Sequence, residues 1–200
     1  MDVKRAVPNV IVDIRYAGKD NFVGEPIAGY EKNLCLLLPE TSKAIAGIAN
    51  ELSQRGLALV FHDCYRPKRA VDDFLAWAKD PQDQRRKEEH YPRVAKENLF
   101  REGYIARRSG HSRGSTVDVT LASKNGKGQW VPLDMGTPYD FLDPASALDA
   151  PGISAEARKN RKLLQDIFAR HGFRGYSKEW WHFTLEKEPC PKVTFDRPVR

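Results

Sequence analysis

Two histidines, an aspartate and a glutamate occupy positions whose neighbours are those of buried strands. Asp118 lies between valines in "TVDVT", and His111 precedes it in the turn "SGHSRGS". His182 and Glu179 lie in the most aromatic segment, "KEWWHFTL". An unpaired carboxylate in a core is very costly, so Asp118 needs partners. Two histidines and one carboxylate can bind Zn²⁺ and leave its fourth position open, as catalytic zinc sites require. The pattern predicts a zinc site at His111, Asp118 and His182.

The same residues could instead have a purely structural role in the core, and their spacing alone does not decide between the two interpretations. A histidine in an apolar strand is more often a hydrogen-bonded core residue than a metal ligand. Glu179 also raises a geometric difficulty, because residues three apart on a regular strand point to opposite faces. A bulge, a twist or the start of the strand must intervene if Glu179 and His182 face one site. Glu179 would then be placed to take a proton from a zinc-activated water.

Length and composition indicate one globular domain over residues 1–200. The chain is 40% hydrophobic and 30% charged, with a net charge of +6. Its basic residues alternate with acids, as in "PQDQRRKEEH", so we expect a solvated charged surface and no nucleic-acid partner. No apolar stretch is long enough to span a membrane, and the first residues lack a secretory signal. We therefore expect a cytoplasmic protein, or a periplasmic one if a signal peptide has been removed.

The cysteines are three in number, widely spaced, and without a CxxC pair. An odd count favours reduced thiols over a disulfide framework. Cys35 lies in the apolar run "LCLLLP", which predicts a core position.

Helices and strands are mixed without regular βαβ alternation. The pattern predicts strands in "NVIVDIRYAG", "LALVFHDCY", "TVDVTLAS", "QWVPLDMG" and "EWWHFTLE". It predicts helices in "PETSKAIAGIANELSQRG", "RPKRAVDDFLAWAKD" and "SAEARKNRKLLQDIFARHG", the second beginning at Pro67 and the third capped by Ser154. The charged stretch from Pro81 to Glu102 is predicted to be a helix and loop that cover part of the molecule. The expected class is α+β, with a mostly antiparallel central sheet flanked by helices.

The two chemical segments together resemble a known family. "SGHSRGSTVDVT" resembles the SxHxxGxAxD motif of the zinc D-Ala-D-Ala carboxypeptidase/dipeptidase superfamily, and "EWWHF" resembles its closing ExxH. Thr116 replaces the small alanine of that motif. "RYAGKDNFVGEPIAGYE", "DCYRPKRAV", "PLDMGTPYDFLD", "GFRGYSKEWWHF" and "FDRPVR" resemble the VanX-type D-alanyl-D-alanine dipeptidases of that superfamily. The resemblance covers nearly the whole chain and implies a Hedgehog/D-Ala-D-Ala peptidase-like fold with the zinc site in a cleft.

The resemblance also implies a role for each matched residue. It assigns one Zn²⁺ to His111, Asp118 and His182, and acid/base catalysis to Glu179. Arg66 would stabilise the oxyanion of the transition state. Three further residues would hold the dipeptide substrate: Tyr16, Ser109 and Asp140. The implied activity is hydrolysis of D-Ala-D-Ala to two D-alanines, which would serve vancomycin resistance or D-alanine salvage.

Other functions and assembly states stay open. A D,D-carboxypeptidase or an L-Ala-D-Glu endopeptidase acting on the peptidoglycan of the cell wall is the nearest alternative. A zinc-containing module that binds wall fragments without catalysis is a second. The sequence does not fix the oligomeric state, and a homodimer is one assembly compatible with it.

Overall fold

The computed structural model of the chain describes residues 1–200. Six strands form one sheet: β1 (Ile11–Val12), β2 (Leu57–Asp63), β3 (Thr116–Lys124), β4 (Trp130–Pro132), β5 (Phe173–Tyr176) and β6 (Glu179–Leu185). The strand order is β1-β2-β3-β6-β5, and β4 pairs with β3 beyond the reach of β6. Only the β1–β2 pair is parallel. The predicted α+β class with a mostly antiparallel sheet is confirmed.

Five helices accompany the sheet: α1 (Val3–Ala6), α2 (Pro39–Ser53), α3 (Lys68–Ala78), α4 (Lys87–His90) and α5 (Ala155–Arg170). The three long helices were all predicted. Helix α3 begins one residue later than expected, because Pro67 is its N-cap and not its first residue. Ser154 caps α5 as predicted, since its Oγ accepts a hydrogen bond from Ala157 N at 3.0 Å.

Strand β3 is buried on both of its faces. Val117, Val119 and Leu121 belong to the hydrophobic core, as their alternation predicts. Asp118 and Thr120 on the opposite face are buried as well. Strand β3 pairs with β2, β4 and β6, so it is the central strand of the sheet. Asp118 is therefore a carboxylate in the middle of the fold, where its position is strongly constrained.

Three expectations about local structure need correction. The strand predicted in "NVIVDIRYAG" contains only the two residues of β1, and Arg15–Ala17 forms a 3-10 turn. The strand predicted in "QWVPLDMG" contains only Trp130–Pro132. The helix predicted between Pro81 and Glu102 is reduced to α4 and the 3-10 turn Lys96–Asn98.

The prediction of reduced thiols is wrong for two of the three cysteines. Cys35 and Cys64 form a buried disulfide with a Cα–Cα distance of 5.2 Å, and Cys190 is free. The bond ties the chain before α2 to the end of β2. The pairing depends on the fold bringing positions 29 residues apart together, which no local spacing shows. Cys35 does lie in the core, as predicted. No helix in the chain has the length and apolarity needed to cross a membrane.

Candidate metal centre and active site

A cavity of about 460 Å³ opens beside β3 and β6. Its walls include every residue that the sequence analysis assigns to the site: Tyr16, Arg66, Ser109, His111, Asp118, Asp140, Glu179 and His182. These residues come from six separate segments of the chain. Their convergence is therefore a property of the fold and not of sequence proximity.

His111, Asp118 and His182 form a compact cluster of potential metal ligands. Asp118 and His182 are partners across β3 and β6, and His111 lies in the 3-10 turn Gly110–Arg113 that precedes β3. Asp118 Oδ1 lies 3.3 Å from His111 Nε2 and 3.0 Å from His182 Nδ1, and the two ring nitrogens are 3.4 Å apart. All three ligand atoms lie within 4.8 Å of one another. Two imidazoles and one carboxylate in this arrangement suit zinc.

The ionisation of the cluster also suits a cation. Burial favours the neutral form of His182 and lowers its pKa. Burial alone would raise the pKa of Asp118, but the imidazoles of His111 and His182 hold it below its ordinary value. A neutral imidazole and a charged carboxylate are the forms that bind metal. The donor set therefore fits a zinc ion without prior loss of protons from either group.

Hydrogen bonds outside the cluster fix two of its members. His111 Nδ1 donates to the carbonyl oxygen of Cys64 at 2.7 Å, which leaves Nε2 free for a metal. The hydroxyl of Tyr139 donates to Asp118 Oδ2 at 3.1 Å, so Oδ1 is the oxygen facing the histidines. Tyr139 itself is stacked on His62, with ring centroids 4.7 Å apart. Sequence analysis missed Tyr139, and only its position next to Asp140 hinted at a role.

Glu179 reaches the same site because β6 bulges. Along β5 and β6, the pair Gly175–Phe183 is followed directly by Tyr176–Glu179. Trp180, Trp181 and His182 of β6 therefore have no paired residue on β5, because Gly175 and Tyr176 are consecutive. This bulge turns the Glu179 side chain toward the cavity. Glu179 Oε2 lies 3.7 Å from His182 Nδ1. The structure thereby supplies the irregularity that the three-residue offset demanded.

Glu179 is nine-tenths buried, among other carboxylates and aromatic rings. Burial, followed by the nearby charges of Asp118 and Asp140, raises the pKa of Glu179 well above its ordinary value. Trp181 lines the same cavity and restricts water around the carboxylate. A glutamate in such surroundings can both accept and return a proton near neutral pH.

Arg66 is held by Asp63, the last residue of β2. Asp63 Oδ2 accepts hydrogen bonds from Arg66 Nε at 2.9 Å and is 2.8 Å from Nη2. Asp63 Oδ1 accepts from Tyr30 and from the backbone of Cys64. The guanidinium group also lies over the Tyr16 ring, with Arg66 Cζ 5.0 Å from the centroid. The guanidinium group points toward the cluster of potential metal ligands, with Nη2 3.8 Å from Asp118 Oδ2.

Asp140 and Tyr16 form a second polar group in the cavity wall. The hydroxyl of Tyr16 donates to Asp140 Oδ2 at 2.8 Å, and both residues are buried. Burial, with the charge of Asp118 as the next cause, raises the pKa of Asp140 to about 8. Asp140 has a φ of 56°, a left-handed conformation that only glycine, asparagine and aspartate adopt readily. Such strain is typical of functional positions.

Ser109 is the N-cap of the turn that carries His111. Its Oγ accepts a hydrogen bond from His111 N at 3.2 Å, and the residue lines the cavity. In this contact the Ser109 oxygen is the acceptor, so its hydroxyl proton is not used. Ser109 can therefore position His111 and still donate a hydrogen bond to a ligand.

Comparison with known proteins gives a consistent result. The family model described as "D-ala-D-ala dipeptidase" (Peptidase_M15) matches residues 1–200. A D-alanyl-D-alanine dipeptidase of Enterococcus faecium is 40% identical over 188 residues, covering 94% of this chain and 92% of that protein. A D-alanyl-D-alanine dipeptidase of Streptomyces coelicolor is 40% identical over 197 residues, covering 98% of this chain and 96% of that protein.

A solved structure was also found, but its similarity is too low to support an argument. It is a zinc-bound VanY D,D-pentapeptidase from a VanB-type vancomycin resistance cassette. The TM-score is 0.42 at 15% identity, over 75% of this chain and 72% of that one.

Proposed function

Since the chain belongs to the D-Ala-D-Ala dipeptidase family of peptidases, we propose that it hydrolyses the dipeptide D-Ala-D-Ala to two molecules of D-alanine. One structural observation carries the proposal. A His-Asp-His cluster, a buried glutamate and a fixed arginine converge in one cavity with a strained aspartate. Peptide hydrolysis needs an activated water, a proton carrier and a cation for the developing oxyanion, and this cavity offers a residue for each requirement.

The zinc ion would be held by His111 Nε2, Asp118 Oδ1 and His182 Nδ1. When bound, zinc supplies Lewis-acid polarisation of the scissile carbonyl and a lowered pKa for water. The contacts of His111 with Cys64 and of Asp118 with Tyr139 orient these ligands.

Glu179 would carry the proton during hydrolysis. Its carboxylate takes a proton from the attacking water and then delivers it to the leaving nitrogen of the second D-alanine. The raised pKa of Glu179 suits this exchange, because a carboxylic acid of ordinary pKa would be a poor proton acceptor near neutral pH. The two transfers leave Glu179 in its starting state.

Arg66 would stabilise the negative charge that develops on the carbonyl oxygen. The contacts with Asp63 and with the Tyr16 ring hold the guanidinium group in place before substrate arrives. A preorganised donor costs no reorganisation in the transition state, and removal of one such donor typically costs about 3–4 kcal/mol.

Asp140 and Tyr16 would bind the ammonium group of the dipeptide, and Ser109 would donate to its backbone. An N-acylated peptide carries no ammonium, so it would leave the buried carboxylate of Asp140 without a cation. Sites built around a charged or hydrogen-bonded group reject analogues that lack it. The proposal therefore predicts a preference for the free dipeptide over the longer stems of peptidoglycan.

The alternative activities make a different prediction for a simple substrate panel. Release of D-alanine would be measured from D-Ala-D-Ala, from N-acetyl-D-Ala-D-Ala and from a stem pentapeptide, all with metal-replete protein. A dipeptidase releases D-alanine from the first alone. Release from the pentapeptide would favour a D,D-carboxypeptidase. Cleavage of the pentapeptide between L-Ala and D-Glu, seen by mass spectrometry without release of D-alanine, would favour the endopeptidase, and three intact substrates would favour a non-catalytic module.

The physiological setting and assembly remain predictions. Hydrolysis of D-Ala-D-Ala would serve vancomycin resistance or D-alanine salvage, depending on the cell. A cytoplasmic location is expected from the sequence, whereas the Cys35–Cys64 disulfide is typical of an oxidising compartment such as the periplasm. Fractionation of cells with thiol labelling would decide between them. Light scattering would test whether the chain forms a homodimer.

A further inference from the structure

The cavity has two permanent cations in its walls, and only one of them is already engaged. Arg66 is paired with Asp63 and lies beside the metal cluster. Arg107 also lines the cavity, and it makes no ion pair and no hydrogen bond with any carboxylate or carbonyl of the chain. We propose that Arg107 binds the C-terminal carboxylate of the dipeptide. The inference rests on the proposed function, since it names a substrate contact for that reaction.

The segment that carries Arg107 is anchored, although Arg107 itself is exposed. Residues 103–107 form one wall of the cavity. The hydroxyl of Tyr176 donates to the carbonyl of Gly103 at 3.0 Å, and the backbone of Ile105 donates to Leu99. The guanidinium of Arg107 lies over the ring of Phe100, with Cζ 5.4 Å from the centroid. These contacts place the charge at the cavity mouth.

The distribution of charge along the cavity matches a free dipeptide. Asp140 is a buried residue of the cavity wall and Arg107 is an exposed one, and the His-Asp-His cluster, Glu179 and Arg66 belong to the same cavity. A D-Ala-D-Ala molecule carries an ammonium group at one terminus and a carboxylate at the other. With its ammonium on the buried Asp140, its carboxylate would extend toward solvent, where Arg107 is exposed. An arginine fork suits a carboxylate particularly well.

This contact would add to specificity without adding to the chemical step. The carboxylate takes no part in bond making or breaking and keeps its charge throughout the reaction. Arg107 would therefore bind the ground state and the transition state equally, which lowers KM and leaves kcat unchanged. It would also favour the free acid over a C-terminal amide.

The test compares two substrates, D-Ala-D-Ala and its C-terminal amide, in wild type and four variants. Arg107→Gln removes the charge and keeps most of the side-chain length. Arg107→Lys retains the charge. Arg108→Gln is the matched control, because Arg108 is an adjacent exposed arginine that does not line the cavity. The double substitution Arg107→Gln/Arg108→Gln checks that the two effects are independent.

We expect Arg107→Gln to raise KM for the free dipeptide about tenfold, the size of one charge-assisted hydrogen-bonded pair. Its kcat for the dipeptide and its kcat/KM for the amide should stay within about twofold of wild type, and Arg107→Lys should recover most of the loss. Equal effects on both substrates, or an effect as large in Arg108→Gln, would overturn the carboxylate site. Failure of the wild type to hydrolyse either substrate would instead overturn the proposed function.

Discussion

Single hydrogen bonds decide which atom of each side chain faces the cavity. The carbonyl of Cys64 selects Nε2 of His111, and the hydroxyl of Tyr139 selects Oδ1 of Asp118. Asp63 likewise fixes the orientation of the Arg66 guanidinium group by accepting a hydrogen bond from its Nε. Each of these partners is buried, so its loss would not be compensated by water. Metal affinity and catalysis therefore depend on residues that never contact the substrate.

Replacement of Tyr139 by phenylalanine tests this dependence directly. The substitution removes only the hydroxyl that holds Asp118 Oδ2 and keeps the ring that packs on His62 and Trp181. We expect zinc affinity, measured by competition with a chelator, to fall about 10- to 100-fold. Tyr104→Phe is a suitable control, since Tyr104 lines the cavity without contacting a ligand residue. An unchanged affinity in Tyr139→Phe would show that Asp118 needs no outer partner.

The buried carboxyl group of Asp140 should lower the free energy of unfolding at neutral and alkaline pH. Its pKa of about 8 in the folded protein lies above the ordinary aspartate value, so the folded state retains a proton that the unfolded state loses. The free energy of unfolding should therefore fall as the pH rises from about 4 to about 8. Asparagine cannot ionise and tolerates the left-handed backbone of this position.

The metal-free Asp140→Asn protein should reveal this cost. Its melting temperature should lie closest to that of wild type near pH 4 and exceed it by several degrees at pH 8.5. Its affinity for D-Ala-D-Ala should fall more at pH 8.5 than at the lower pH, because the wild-type carboxylate is charged only at the higher value. A difference in melting temperature that does not grow with pH would contradict the raised pKa.

Two strands, a turn and a loop position the site: β3, β6, the turn Gly110–Arg113 and the loop that contains Tyr139 and Asp140. The bulge in β6 turns Glu179 toward His182, and the turn before β3 carries His111. The loop that contains Tyr139 and Asp140 is fastened by the buried Arg161 of α5, which donates to the carbonyls of Met135 and Ala145. A charged side chain here satisfies loop carbonyls that an apolar one would leave unpaired.

The Cys35–Cys64 disulfide belongs to the same scale, because it ties the chain before α2 to the end of β2. Closing a loop of this length in the unfolded state should stabilise the fold by about 3–4 kcal/mol. We expect the double variant Cys35→Ala/Cys64→Ala to lose about that much free energy of unfolding in denaturant titrations without reductant. Cys190→Ala, which removes the free thiol, should unfold like wild type. Equal stability of all three proteins would mean that the bond does not contribute.

For the whole molecule, metal binding should couple segments that are distant along the chain. His111, Asp118 and His182 join the turn before β3, β3 itself and β6. A ligand in 1,000-fold excess over its Kd stabilises a fold by about 4 kcal/mol. Zinc should therefore raise the melting temperature by about 10 °C for a chain of this size. His111→Ala should abolish that increase, and a persistent increase would place the metal elsewhere.

Sequence reasoning succeeded where chemistry and periodicity coincide. The long helices, the central strand β3 and the eight residues that converge in the cavity were all named from patterns or resemblance. Features that depend on long-range contacts were not found. The partners of Cys35 and Tyr139 lie 29 and 21 residues away along the chain, and nothing in the local sequence specifies them. The spacing required a bulge, a twist or a strand start near Glu179, and only the strand register shows which one is present.

The central claim is that Glu179 carries the proton in a zinc-dependent hydrolysis of D-Ala-D-Ala. The most direct measurement is the rate of D-alanine release by wild type and by Glu179→Gln, each loaded to the same measured zinc content. We expect rapid release by the wild type and a rate about 10²- to 10⁴-fold lower in the variant, with D-Ala-D-Ala still bound. A variant that releases D-alanine at the wild-type rate would contradict it.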